Sequence, residues 1–73
     1  MDGAGSALVG AGYGRDLVKL FKENGCRFVR NGKGDHQVWF SPITGNNVTL
    51  DYGTTKNRTA NGILKQAGIK HKF

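Results

Sequence analysis

Seventy-three residues and 7.9 kDa allow one small domain, which buries only about 60% of the surface its unfolded chain exposes. That excludes a doubly wound cofactor domain joined to a substrate domain. Eleven Lys and Arg against five Asp and Glu give a net charge of +6, which points to an anionic partner, with RNA or DNA ahead of an acidic protein.

Residues 1–12 are rich in Gly and Ala and read as a flexible leader, with a single domain expected over 13–73. The leader is acidic and lacks a basic n-region, so it does not read as a signal peptide. No apolar run approaches the ~20 residues of a membrane span. Gly10-Ala11-Gly12 fails as a dinucleotide fingerprint, because Arg15 stands where the third glycine belongs.

A first helix is predicted over about 14–24. Leu17, Leu20 and Phe21 fall at i, i+3 and i+4, with Val18 widening that face. Asn24-Gly25 is a stop signal, with Gly25 suited to a left-handed cap. Cys26 is the one cysteine, which excludes an internal disulfide framework and a Cys-based zinc site. Its default role is that of a small buried hydrophobe, and a reducing, cytoplasmic setting fits such a chain.

Residues 26–30 read as a strand, 31–34 as a hairpin loop opened by Asn31-Gly32, and 36–40 as a second strand. Residues 41–47 form a turn marked by Pro42 and Gly45. The third strand covers 48–52, with Val48 and Leu50 on one face. On the second strand, Val38 and Phe40 are expected to face the core. That would put His36 on the helix side at the sheet's edge. Trp39 would then lie on the open face, as a base platform or a cross-strand packing residue.

After a polar loop, a second helix is predicted over about 59–67, capped by Asn57 or Thr59, with Ala60, Ile63, Leu64 and Ala67 inward. Gly62 in mid-helix costs up to ~1 kcal/mol relative to Ala, and close approach to the sheet would explain it. Gly68 ends the helix and Ile69 folds back onto the core. The fold class is therefore α+β: helix, three-stranded antiparallel meander, helix, with both helices on one face.

Few groups offer chemistry. No paired carboxylates, His-x-x-x-His helix pair or Gly-x-x-x-x-Gly-Lys loop occurs. His71, close to Phe73, reads as a solvated residue. His36 follows Lys33-Gly34-Asp35 at a loop-to-strand junction, where glycine lets a phosphate approach the backbone. An imidazole there can take or give a proton at neutral pH. In RNA cleavage the 2′-hydroxyl loses a proton as it attacks phosphorus and the departing 5′-oxygen gains one. The bland alternative is a histidine that pairs across the sheet. Arg27, Arg30, Lys33, Lys56, Arg58, Lys65 and Lys70 supply cations for a phosphate-binding rim or for a solvated surface.

Gly14-Arg15-Asp16-Leu17-Val18-Lys19-Leu20, Gly25, Phe28-Val29-Arg30, Lys33-Gly34-Asp35-His36 and Ile63-Leu64-Lys65-Gln66-Ala67-Gly68-Ile69 together resemble the HicA mRNA interferase toxins. The resemblance implies a double-stranded-RNA-binding-domain-like fold of order α-β-β-β-α. It implies a small endoribonuclease that cuts mRNA without a metal or other cofactor, and a HicB-like antitoxin that covers the active site. The family's catalytic histidine maps onto His36, which leaves Arg30, Lys33, Gly34, Lys56 and Arg58 as the RNA-binding candidates. The family's usual Gly-Ser-His-His is Gly34-Asp35-His36-Gln37 here, so the catalytic position is kept and its neighbours change. Two other readings stand beside the enzyme: a non-catalytic RNA-binding module of the same fold, and a protein whose basic face holds an acidic partner.

Overall fold

The computed structural model describes residues 12–73. The expected leader therefore lies, apart from Gly12, outside the described residues. Helix α1 spans Gly14–Glu23. Strands β1 (Arg27–Asn31), β2 (His36–Ser41) and β3 (Asn46–Asp51) follow, and helix α2 spans Asn57–Ala67. The sheet is antiparallel in the order β1-β2-β3. This is the expected α-β-β-β-α architecture.

Both helices place their apolar stripes on one side of the sheet. Leu17 and Phe21 of α1 and Ala60, Leu64 and Ala67 of α2 are fully buried, together with Leu50 of β3. Gly14 is buried too: a side chain there would run into the backbone carbonyl of Tyr52, so the helix start lies directly against the loop after β3. Both helices end in the same way. Gly25 and Gly68 adopt φ of 81° and 77°, in the left-handed region that glycine enters without a Cβ clash. Cys26 then donates to the Phe21 carbonyl and Ile69 to the Leu64 carbonyl, closing Schellman turns. The hydrogen-bonded residue in each case, Cys26 or Ile69, is buried in the core, as the sequence indicated.

The faces of β2 are the reverse of the expectation. Trp39 is 4% exposed and packs edge-on against Phe21 (5.7 Å) and Phe28 (5.7 Å). It is a core residue, not a platform on the open face. Its cross-strand partner is the buried Val48. Two polar residues share its face and are satisfied there. Gln37 Oε1 accepts from the indole N–H at 2.9 Å. Ser41 Oγ, fully buried, donates at 2.6 Å to the carbonyl of Ala67, one of the last four of α2 that lack helical partners. Val38 and Phe40 are half-buried on the opposite, open face. His36 shares their parity and therefore lies on the open side, not the helix side.

Smaller differences have local causes. The β2–β3 turn takes only Pro42 to Gly45, closed by the Gly45 N–H on the Ser41 carbonyl, so Asn46 and Asn47 pair in β3. Helix α2 begins at Asn57, two residues early, with the extended Lys56 as its cap residue and no side-chain cap. Neither Asn57 nor Thr59 caps it, because both lie inside the helix. Gly62 is exposed, and a Cβ there would meet nothing within 4 Å. Close approach to the sheet therefore does not explain it. Strand β1 is an edge strand with every residue exposed, and its register shifts between Phe28 and Arg30.

Candidate functional site

The β1–β2 hairpin loop is Gly32-Lys33-Gly34-Asp35, and it is closed by three backbone contacts. Gly32 donates to the His36 carbonyl at 2.7 Å, and His36 donates to the Lys33 carbonyl at 3.0 Å. Tyr52 donates to the Asp35 carbonyl at 3.0 Å, which ties the loop to the segment after β3. Gly34 takes a φ of 58°. Lys33, Gly34 and His36 are thus brought together in a short, hydrogen-bonded unit.

His36 is exposed at the first position of β2. Gly32 faces it on one side. A Cβ there would lie 3.2 Å from the His36 Cβ, so the absent side chain keeps that flank clear. On the other side its register partner is Asp51. Directly opposed residues on one face of a sheet hold their Cβ atoms ~5 Å apart. Among the described residues the imidazole takes no hydrogen bond or ion pair, so both ring nitrogens are open to a substrate. Asp51 Oδ1 accepts from the Gly53 N–H at 3.1 Å, which fixes its carboxylate near the strand end. The Asp35 carboxylate packs over Gly53.

Asp51 is a site residue that the sequence reading left without a role. The signal was present. Once the turn is limited to residues 42–45, pairing outward from Ser41 and Asn46 brings His36 to Asp51. The expected seven-residue turn hid that register.

The five residues 52–56 link β3 to α2 and hold the cationic start of that helix at the His36 end of the sheet. The link is pinned on two sides. Asp35 holds Tyr52, and the Thr54 carbonyl accepts from the Tyr13 N–H at 2.9 Å. Thr54 itself is buried. Lys56 and Arg58 stand at the helix start, both exposed. The first turn of α2 carries no acidic residue and no side-chain cap, so its free N–H groups and positive dipole end go uncompensated there. Arg30 lies on the open face beside Val38, and its Nη1 reaches the Asn31 carbonyl at 3.4 Å. Arg27, opposite Phe40, shares that face but sits at the far end of the strand pair from His36, outside the rim expected for it. One end of the sheet therefore carries an exposed imidazole, a glycine-flanked loop and several cations.

The other candidates fall elsewhere. Cys26 is buried just before β1, at the end of the strand pair away from His36, and lies outside this cluster. His71 is exposed and stacks edge-on against Phe73 at 5.0 Å. Among the described residues no three His, Cys, Asp or Glu side chains gather as metal ligands. No helix among them is long and apolar enough to cross a membrane.

The family model described as the HicA toxin of bacterial toxin–antitoxin systems matches residues 14–69. The match takes in all five elements, the hairpin loop and His36. No curated protein and no solved structure matches the chain.

Proposed function

The chain belongs to the HicA family of bacterial toxin–antitoxin toxins, and from that premise we propose that it is an endoribonuclease that cuts mRNA with His36 as its acid–base group. The observation that carries the reading is the exposed imidazole at the glycine-flanked hairpin, without a hydrogen bond or ion pair among the described residues, at the end of the sheet where Lys33, Lys56 and Arg58 stand. Lys33, Arg30, Lys56 and Arg58 hold the phosphates on either side of the scissile bond, and the Gly34 backbone lets one of them come close. His36 takes the 2′-hydroxyl proton as that oxygen attacks the adjacent phosphorus. The O2′–P bond forms and the P–O5′ bond breaks, leaving a 2′,3′-cyclic phosphate and a 5′-hydroxyl. The leaving oxygen takes its proton from Lys33 or from water. The cations stabilise the charge that builds on the phosphorane.

Asp51 acts as a positioning residue. A carboxylate across the strand pair orients the imidazole and balances its charge after proton uptake. No step needs a metal. The toxin acts in the cytoplasm, and its partner is a HicB-like antitoxin that covers His36 and competes with RNA.

Inducible expression of the chain and of its His36→Ala variant in bacteria tests the assignment, with growth and mRNA integrity followed together. Growth arrest with mRNA loss from the parent alone supports it. Arrest by both proteins assigns the toxicity to something other than His36. A folded but harmless parent favours the non-catalytic RNA-binding reading.

A further inference from the structure

Away from the His36 end, a groove of about 460 Å³ is formed by α2 and the segment that follows it. Its lining is Asn61, Lys65, Ile69, Lys70, His71 and Lys72. Three of these carry fixed positive charge and none is acidic. The segment is anchored, so the cations are held in place. The Phe73 N–H donates to Asn61 Oδ1 at 2.7 Å, and the Phe73 ring packs against Tyr13 at 4.8 Å. Ile69 is buried beneath. Ordering such a surface on binding costs little, because it is ordered already.

The groove continues the basic start of α2. Arg58 and Lys65 are seven residues apart, which places them on one helix face with about 10 Å between them along the axis. Asn61 falls between them on the same face. Gly62 is the next residue, exposed and with open space where its Cβ would be. A glycine that nothing packs against leaves bare helix surface in the middle of a cationic face. A phosphodiester chain can lie closer there than a side chain would allow. Lys70, His71 and Lys72 also lie beyond the residues that the family model matches.

We propose that the outer face of α2 and the groove after it form a track for the RNA phosphate backbone outside the nucleotides being cut. The proposal rests on the ribonuclease reading and assigns it a longer substrate: RNA bound at His36 on the open face passes round the end of the sheet at Lys56 and Arg58, and its flanking strand runs along Lys65 and Lys70 on the outer face of α2. Continuity with the basic rim selects RNA over an acidic protein segment as the occupant.

The test uses the full chain carrying His36→Ala, which keeps the RNA intact. Binding is measured by fluorescence anisotropy for oligonucleotides of about 4 and about 16 nucleotides, spanning the usual site sizes of single-strand binders. Lys65→Gln/Lys70→Gln is compared with a charge-matched control on the exposed side of α1, Lys19→Gln/Lys22→Gln. The groove variant should weaken the long RNA about tenfold and leave the short one unchanged. Its salt dependence for long RNA should flatten by about 1.4 log units per decade of salt, at ~0.7 per lost phosphate contact. The control should show neither effect. Equal loss in both variants, or none in either, overturns the track. If the parent still cleaves RNA in that case, the ribonuclease reading survives alone. If the parent neither binds nor cleaves, both fail. Unchanged RNA binding with weakened antitoxin binding gives the groove to a protein partner and overturns RNA as the occupant.

Discussion

His36 and Asp51 stand directly opposite each other on β2 and β3, a histidine and a carboxylate paired across the open face at the strand ends. Asp51→Asn separates its charge from its structural role, because an amide oxygen still accepts from the Gly53 N–H. We expect cleavage to fall about tenfold, short of the ~10²–10⁴-fold that acid–base catalysis itself supplies. The loss should lie in kcat, with KM unchanged or lower because a negative charge has left a phosphate-binding site. A variant that cuts as fast as the parent would remove Asp51 from the mechanism.

Trp39 reports on the core and not on RNA. It is the sole tryptophan of the chain, so its fluorescence is assignable. Emission should be blue-shifted, poorly quenched by acrylamide and unmoved by added RNA. Trp39→Ala should cost ~3–5 kcal/mol in urea unfolding, as large-to-small core changes do. Strong quenching by RNA would contradict the buried position.

The face of β2 is where sequence and structure part. Strand and helix order, both Schellman ends and the place of His36 at the start of β2 were legible, because apolar periodicity and Asn/Gly punctuation carry them. The inward face of β2 was not. It reads Gln37, Trp39, Ser41, while the outward face holds the apolar Val38 and Phe40. Hydropathy alternation therefore votes for the wrong side. Gln37 and Ser41 are tolerated inside because one accepts from the indole two residues along the same strand and the other donates to Ala67, at the end of a helix 26 residues away. The His36–Asp51 pair was hidden for a related reason, since it depends on a register set by turn length. The basic rim was legible as a set of residues, and its gathering at one end required the pinned link 52–56.

Ser41 ties the far end of β2 to the last residue of α2. Ser41→Ala leaves the Ala67 carbonyl without that partner in a buried setting, which costs ~1–3 kcal/mol. The midpoint in denaturant should drop while the slope of the transition stays fixed. No change in midpoint would mean that water or another donor replaces the hydroxyl.

Two glycines separate opposite effects of one substitution. Gly14→Ala drives a methyl group into the Tyr52 backbone and should destabilise strongly, since it pushes α1 off the loop that positions α2. Gly62→Ala meets nothing and should stabilise by up to ~1 kcal/mol through helix propensity. Thermal unfolding of the two variants beside the parent checks both signs. A stable Gly14→Ala variant would be incompatible with the helix–loop contact described here.

The extra residue in β1 acts like a shifted reading frame. Counting back from the hairpin, Asn31 pairs with Gln37 and Arg30 with Val38, but Phe28 then pairs with Trp39, leaving Val29 over. Because successive strand residues alternate faces, that one insertion decides everything upstream of it. It sends Phe28 onto the tryptophan and sets Arg27 beside Arg30 on the histidine side. An in-frame deletion of the Val29 codon would therefore leave a regular ladder, with Phe28 still opposite Trp39 and Arg27 still opposite Phe40. Pairing all five residues one to one would invert them instead: Val29 would take the place opposite Trp39, Phe28 would move to the open surface and Arg27 would turn inward.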